Sequence, residues 1–228
     1  MNKLKVLLIV KKNDKYSDQL INFLKLKKIN LKYLFTEDKN TKLFKKCLNK
    51  WSGDLLFSFR NRYIFKKKFL KNNIKIAAIN FHSGTPEYRG VGCANYAIFE
   101  KKKTYGVTAH LIDEKIDSGK ILKVRRFKIH KSWNLNKLLE KTHRELLILS
   151  KNIIKLFCKN NKKIISQLQT NHKEAWSKKI YTLRKLNKLY EIKKYYSKEK
   201  IELIIKATKL DNFRPYIKFK NLKFYYVN

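Results

Sequence analysis

Apolar residues open the chain in a short unbroken run, Lys5–Val10, and similar runs return at Leu31–Phe35, Asp54–Phe59 and Ile76–Phe81. Each has the length of a strand and is rich in Val, Ile, Leu and Phe, which predicts strands buried on both faces. Between them the period changes. In Tyr16–Lys27 the apolar positions Leu20, Ile21, Phe23 and Leu24 fall at helical spacing. Thr41–Leu48 predicts a short helix and Ile64–Leu70 a helix or turn. Strand–helix alternation of this kind predicts an α/β fold, a Rossmann-like sheet with flanking helices. The run after the first strand, Val10-Lys11-Lys12-Asn13, replaces a G-x-G-x-x-G, so a dinucleotide is not expected there.

Beyond residue 82 the pattern loosens. Residues 82–92 read as loop, and Cys93–Lys101 as a helix with Ala94, Ala97 and Ile98 inward. Tyr105–Leu111 alternates like a strand, Ile112–Gly119 is a loop, and Lys120–Phe127 is a further strand. Leu135–Phe157 is a long amphipathic helix. Periodicity breaks between 160 and 175, which predicts a domain over residues 1–165 and a small extension over 166–228. That extension reads as helices Leu183–Leu189 and Lys198–Ala207, then a hairpin of Tyr216–Phe219 and Leu222–Val227 around Lys220-Asn221. Phe219, Phe224, Tyr225 and Tyr226 give the hairpin more apolar surface than a free edge should carry, so a homodimer through it is expected.

No apolar run approaches the ~18 residues of a membrane span, so no membrane partner is expected. The apolar start is followed by Lys11-Lys12-Asn13-Asp14 without a small-residue cleavage site, which predicts a first strand and not a signal peptide. Cys47, Cys93 and Cys158 lie far apart with no C-x-x-C, which argues against a disulfide framework or a cysteine zinc module and suits the cytoplasm.

Lys and Arg number 56 against 17 Asp and Glu, a net charge of +39, which on its face points to a polyanion partner. Yet 48 of those cations are Lys and only 8 are Arg, beside 21 Asn. A-rich and T-rich codons specify Lys, Asn, Ile, Phe and Tyr, so drift in an AT-rich genome yields this profile. Base-reading proteins lean on the planar Arg fork. The charge therefore favours anionic ligands in general, and no specific nucleic-acid partner is expected. Against this background the exceptions carry information. Five of the six glycines (Gly84, Gly90, Gly92, Gly106, Gly119), one of the two prolines (Pro86), and both His82 and His110 lie between residues 82 and 119. Special backbone marks turns or close approach to a ligand.

The string there is Asn80-Phe81-His82-Ser83-Gly84-Thr85-Pro86-Glu87-Tyr88-Arg89-Gly90, followed by Gly106-Val107-Thr108-Ala109-His110 and Ile116-Asp117-Ser118-Gly119-Lys120-Ile121-Leu122. A strand delivers Asn80 and His82 to the same side at its carboxyl end, where ligands bind in open α/β sheets. Asp117 opens a turn beside Gly119. A carboxamide, an imidazole and a carboxylate in one cleft suit acyl transfer to an amine: a donor for the oxyanion, a base for the proton and an anion to hold the imidazolium. Simpler readings exist for each residue. Asn80 could cap the loop, His82 could be a satisfied core histidine, and Asp117 could be a turn former. A metal held by His82, His110 and Asp117 matches no usual spacing, so none is expected.

The pattern N-x-H-x-x-x-x-P-x-Y-R-G, with G-V-T-x-H and I-D-S-G-x-I-L at this distance, resembles the 10-formyltetrahydrofolate-dependent formyltransferases over about residues 1–160. That family includes methionyl-tRNA formyltransferase, glycinamide ribonucleotide transformylase and the sugar N-formyltransferases. The resemblance implies a formyltransferase with Asn80, His82 and Asp117 catalytic and 10-formyltetrahydrofolate as cosubstrate. It also implies that Asn80 and His82 hold the oxyanion while His82 helps move the proton. The segment Phe59–Tyr63, with Asn61 and Tyr63 in it, would border the pterin. The loop Ile112–Ser118, with Asp113 and Ile116, would border the folate. Ser83-Gly84-Thr85 departs from the Pro-Ser-Leu or Pro-Gly of many members and predicts a looser loop.

For the acceptor, a transfer-RNA enzyme of this family carries a β-barrel after the catalytic domain. The 60 or so residues left here, which are helical and then a hairpin, are too few strands for one. The segments Trp176–Arg184, Lys206–Lys209 and Phe213–Ile217 are similar to the tails of sugar N-formyltransferases. This implies a nucleotide-linked amino sugar, of the dTDP-amino-dideoxy type, as the acceptor. Methionyl-tRNA is the alternative, and a non-catalytic basic binding module a second one. Arg89, as a phosphate fork, and Gly90, Trp176 and Arg184 are the expected acceptor-side residues, with Trp176 as a stacking face.

Overall fold

A computed structural model describes residues 3–159, 164, 167, 168, 174–210 and 213–227 of the protein. The expected boundary at 165/166, with segments 160–163 and 169–173 around it, lies outside the described residues. The centre is a six-stranded sheet. Its strands are β1 (Lys5–Val10), β2 (Asn30–Phe35), β3 (Gly53–Phe59), β4 (Ile74–His82), β6 (Thr104–Leu111) and β7 (Ile121–Lys128), in spatial order β2-β1-β3-β4-β6-β7. The helices along it are α1 (Lys15–Lys25), α2 (Lys42–Lys50), α3 (Lys67–Asn73), α4 (Cys93–Phe99) and α5 (Leu135–Lys159). Local chemistry starts them: Asp14 Oδ2 accepts from Ser17 N at 2.9 Å at the head of α1, and Thr41 Oγ1 from Phe44 N at 3.0 Å at the head of α2.

The parity of the strands explains the two layers. Val6, Leu8, Val10, Leu55, Phe57, Phe59, Ile79 and Phe81 face one way, into a core closed by α1 and α5. Leu7, Ile9 and Leu56 face the other way, against Phe44, Leu48, Trp51 and Phe65. A strand alternates its side chains, so an apolar run without polar interruption must be buried on both faces.

Strands β1 to β4 are parallel, as strand–helix alternation predicts, but β6 is antiparallel to β4 and β7 antiparallel to β6. A parallel return would need a helix laid across the sheet. Helix α4 instead packs on the C-terminal extension, where Asn95 Nδ2 donates to Ala207 O at 2.8 Å. The helix expected over Ile64–Leu70 is displaced to Lys67–Asn73. Tyr63 and Phe65 are drawn into the second core, with rings 5.1 Å apart, and hold the chain out of a helix there.

The extension contains β8 (Ile180–Tyr181), α6 (Leu183–Tyr190), β9 (Glu191–Ile192), α7 (Lys198–Thr208), β10 (Tyr216–Phe219) and β11 (Leu222–Tyr225). The hairpin forms as expected, with Phe219 opposite Leu222, and β10 also pairs with β9 to make a three-stranded sheet. A short strand β5 (Arg89–Gly90), inside the expected loop, pairs with β8. The two-residue strands are too short to show any period. Tyr181 and Ala207 share a buried cluster with Tyr88, Ala94, Ala97, Tyr105 and Leu138, so the extension and the sheet domain have a core in common.

Phe57 is 1% exposed, with its ring 6.0 Å from Phe81 and 6.4 Å from Phe157. Phe57→Ala is expected to lower the unfolding free energy by ~3–5 kcal/mol, read by urea denaturation at neutral pH. A loss below ~1 kcal/mol would mean that this cluster is not the core.

Candidate active site

Strand β4 ends on Asn80-Phe81-His82, and alternation sends Phe81 into the core while Asn80 and His82 face the other way. Beyond them the loop is well tied: Tyr105 Oη donates to Ser83 O, Thr108 Oγ1 to Gly84 O, both at 2.7 Å, and Tyr88 N to Thr85 O at 2.9 Å. The looser loop expected of Ser83-Gly84-Thr85 is therefore not found, because β6 supplies two hydroxyls that grip its carbonyls. From the opposite side Asp117 enters on the β6–β7 connection in the left-handed region, at φ 45°, which Asp tolerates better than most residues. Gly119 lets this connection close. A Cβ there would sit 1.9 Å from Leu111 O.

The three residues meet. His82 Nδ1 lies 3.4 Å from Asp117 Oδ2, and Asp117 Oδ1 lies 3.5 Å from His110 Nε2. Gly90 N donates to Asp117 Oδ2 at 2.9 Å, with Gly90 at φ 94°, where a side chain would also run into Tyr181 O. His82 Nε2 lies 2.7 Å from Tyr88 O. A carbonyl only accepts, so Nε2 carries hydrogen. Asn80 Nδ2 faces His110 Nε2 at 3.0 Å, while its Oδ1 accepts from Ser58 Oγ at 2.8 Å. His110 Nδ1 in turn donates to Leu111 O at 2.7 Å.

His82, His110 and Asp117 are 7%, 3% and 8% exposed, so their charges act through little water. Burial opposes a charge on His82, but the Asp117 carboxylate outweighs it, helped by Cys93, and the imidazole is pushed up to about 9. Burial likewise opposes the Asp117 carboxylate. His82, His110 and the Gly90 N–H overcome that and bring it down to about 2. The dyad is thus an imidazolium–carboxylate pair at neutral pH. Both ring nitrogens of His82 are engaged, Nδ1 by the Asp117 carboxylate and Nε2 by Tyr88 O.

The other expected residues divide. Asn61 stands behind Asn80: its Nδ2 donates to Ser58 Oγ at 3.1 Å, and its Oδ1 accepts from Tyr63 N at 2.8 Å. The Phe59 side chain is fully buried against Phe81, so only its backbone can face a ligand. Tyr63 packs on Phe44 at 5.3 Å and belongs partly to the second core. Asp113 is exposed and caps its own turn through Glu114 N, and Ile116 is 51% exposed. Arg89 is not a free phosphate fork. Its Nη1 donates to Ser177 O at 3.1 Å and its Nη2 to Ile116 O at 3.0 Å, because two loops cross there. Trp176 stands edge-on to His110 and His82 at 5.0 and 5.8 Å, and its Nε1 donates to Gly119 O at 2.7 Å. Arg184 is not in this cluster; it lines a groove with Leu183, Asn187, Lys188, Glu191 and Tyr216.

Sequence reasoning passed over Ser58, Cys93 and, as a partner of Asn80, His110. Cys93 Sγ lies 3.8 Å from His82 Nε2. His110 could have been found from the register alone, since an antiparallel partner of β4 sets it opposite Asn80. Among the described residues no group of His, Cys, Asp and Glu side chains is placed to hold a metal ion.

Residues 44–153 match the family model described as formyl transferase. The chain carries a formyl transferase domain. Asn80, His82, His110 and Asp117 all fall inside the matched stretch. Among curated proteins, the bifunctional polymyxin resistance protein ArnA of Wigglesworthia glossinidia brevipalpis is 31% identical over 155 residues, 65% of this chain and 24% of that protein. Methionyl-tRNA formyltransferase of Azobacteroides pseudotrichonymphae genomovar. CFP2 is 32% identical over 135 residues, 56% of this chain and 39% of the other. The chain thus spans well under half the length of these relatives. Among solved structures, a 4-N formyltransferase from Francisella tularensis superposes with a TM-score of 0.77 at 19% identity, covering 99% of this chain and 97% of that one. The N-formyltransferase from Helicobacter canadensis, solved in complex with folinic acid and dTDP-3-aminofucose, gives 0.69 at 18%, covering 96% and 86%. The fold around the formyl transferase domain is therefore shared with these enzymes along nearly the whole chain.

The paired shifts set a pH dependence for stability. The raised value of His82 contributes stability fully present below its ordinary 6.5 and lost as pH rises through about 9. The lowered value of Asp117 contributes stability present above its ordinary 3.8 and lost as pH falls through about 2. The stability gap between the native protein and Asp117→Asn should be widest between pH 3.8 and 6.5 and shrink on both sides. Denaturation curves of both proteins from about pH 2 to about pH 9 check it; a gap that does not change over that span would contradict a charged pair.

Proposed function

We propose that the protein transfers a formyl group from 10-formyltetrahydrofolate to the amine of a nucleotide-linked amino sugar, of the dTDP-amino-dideoxy type. The observation that carries the chemistry is the convergence of Asn80, His82 and Asp117 beside the carboxyl end of β4, the first half-buried, the other two buried, each held by its own partners. Such a set offers preorganised donors to an oxygen that gains charge, while an amide N–H and an imidazolium sit ready in a poorly hydrated site.

The site fits a folate formyl donor by its donor chemistry. Backbone of Phe59–Tyr63 would border the pterin, and Asp113 and Ile116 on the β6–β7 connection would border the rest. When bound, 10-formyltetrahydrofolate supplies the electrophilic formyl carbon. Asn80 Nδ2, which has two hydrogens and faces His110 with one, and the His82 Nε2–H, once it turns from Tyr88 O, would stabilise the oxyanion as the acceptor amine attacks. Asp117 holds the His82 ring charged and oriented, and Ser58 and Asn61 hold Asn80. The attacking amine gives up a proton and the departing folate nitrogen takes one up as its bond to the formyl carbon breaks; His82 could pass the proton between them on releasing Tyr88 O.

Correspondence with sugar N-formyltransferases from end to end supports the sugar acceptor, including an extension that ends in a hairpin. The methionyl-tRNA relatives and the charge of +39 support the second reading, transfer to methionyl-tRNA. The free thiols Cys47, Cys93 and Cys158 suit a cytoplasmic enzyme. On the hairpin, Phe219, Leu222, Phe224 and Tyr225 are 48%, 63%, 57% and 54% exposed, which supports a homodimer formed through it.

With 10-formyltetrahydrofolate as donor, formylation is expected on a member of an amino-sugar nucleotide panel, with little on methionyl-tRNA at physiological salt. Efficient formylation of the transfer RNA with inert sugars would reverse the acceptor. Asp117→Asn should cut turnover by ~10²–10⁴ at saturating substrate while the circular dichroism spectrum stays native. Sedimentation at micromolar concentration should show a dimer that Phe224→Lys converts to a monomer; a native monomer would remove the dimer.

A further inference from the structure

The C-terminal extension does more than cover the sheet: one segment of it reaches the dyad. From Glu174 to Tyr181 the chain crosses both loops that hold His82. On one side Trp176 Nε1 donates to Gly119 O at 2.7 Å, on the connection that carries Asp117. On the other side Ser177 N donates to Pro86 O at 3.0 Å and Val91 N to Tyr181 O at 2.9 Å, on the loop that carries Tyr88 O and Gly90 N. Arg89 reaches both segments at once, through Ser177 O and Ile116 O. Arg126 on β7 ties Glu87 of the first loop to Glu174 of the strap, and Glu100 accepts from Tyr88 Oη at 2.7 Å and Tyr181 Oη at 3.0 Å. The Trp176 ring lies where these ties meet, edge-on to both histidines.

We propose that Trp176 is a positioning residue, which fixes the Asp117 connection against His82 and keeps water out of the gap between them, so that the C-terminal strap completes the catalytic site. An ion pair 3.4 Å long depends strongly on the dielectric between its partners, and an indole packed edge-on against both histidines takes up room that screening solvent would otherwise fill. Its N–H holds the Asp117 connection by a carbonyl two residues from the carboxylate. Trp176 is rare chemistry in this chain, which has 3 tryptophans, and its place beside two histidines is not a product of lysine-rich drift. The role differs from a stacking face for the acceptor base. The indole N–H is already engaged, and the ring edge meets the imidazoles. The inference rests on the formyl transfer reading only for its kinetic part.

The experiment compares the full-length native protein with Trp176→Phe and Trp176→Ala. The first keeps a ring and loses the N–H; the second loses both. The His82 imidazole is titrated by NMR, with His82→Asn to assign its signal. The groups that face this ring are Asp117 on the connection, His110 on β6 and Cys93 on α4. Expected is a shift of the His82 midpoint away from the native value in Trp176→Ala, where the ring is hydrated and its pairing with Asp117 screened, with Trp176→Phe between the two. In the formyl transfer assay kcat should fall by roughly ten- to a hundredfold while the acceptor KM stays within about threefold. A folded Trp176→Phe or Trp176→Ala with an unmoved His82 titration overturns the proposal. So does a rise in acceptor KM at unchanged kcat, which would place Trp176 on the substrate. If no formyl transfer occurs at all, the functional reading fails, yet the titration still decides the role of Trp176.

Discussion

The pairing of His82 with Asp117 is the constraint on which the site depends. Two opposite charges at 7% and 8% exposure are costly to strip of water, and their attraction repays that cost only if each remaining polar atom also finds a partner. The surroundings supply those partners from four directions. Tyr88 O takes the far nitrogen of His82, Gly90 N reaches Asp117 Oδ2, and His110 faces Asp117 Oδ1 while also facing Asn80. The backbone specials follow from the same need. Asp117 and Gly90 both adopt positive φ, where the carboxylate meets His82 and the Gly90 N–H meets Asp117 Oδ2.

This dependence links distant parts of the chain. The two loops that hold the dyad touch through Gly90 N on Asp117 and Arg89 on Ile116 O, and the strap at 174–181 ties both again through backbone hydrogen bonds, Arg89 and Trp176. Buried hydrogen bonds in such a network reinforce one another, and a break at one end exposes the rest to water. The shared core of Tyr88, Tyr105, Tyr181 and Ala207 gives the strap its foundation. The Asp117 connection and the Tyr88–Gly90 loop thus share hydrogen bonds with residues beyond 173.

The charge has a different standing. Most of the cations are lysines, and most ion pairs these make among the described residues are at the surface, where such pairs contribute little; Lys141 on the buried Glu145 is an exception. The charges that matter sit apart from that background. The dyad is one such group. Arg126 is another, held by Glu87 and Glu174 across the loop and the strap, and this double pairing raises its already high pKa. Function in this chain is written in its scarce residue types, namely glycine, histidine, tryptophan and arginine.

From the sequence alone came the parallel half of the sheet, because runs such as Lys5–Val10 and Asp54–Phe59 carry their burial in their composition. The convergence of Asn80 and His82 was legible for a similar reason: strand alternation is a local property, and the glycines around them mark close backbone approach. The antiparallel turn of β6 and β7, the displaced α3 and the strands β5, β8 and β9 were decided by packing against partners remote in sequence, which no local period records. Tertiary structure also reassigned the roles of single residues. Arg89, expected as a phosphate fork, is found with Nη1 and Nη2 on backbone carbonyls, Trp176, expected as a stacking face, is found with its N–H on Gly119 O, and His82, expected at the oxyanion and as a proton carrier, is found paired with Asp117. A side chain's type sets what it can do, but its hydrogen-bond partners and the water left around it set what it does, and those are settled only when the chain has folded.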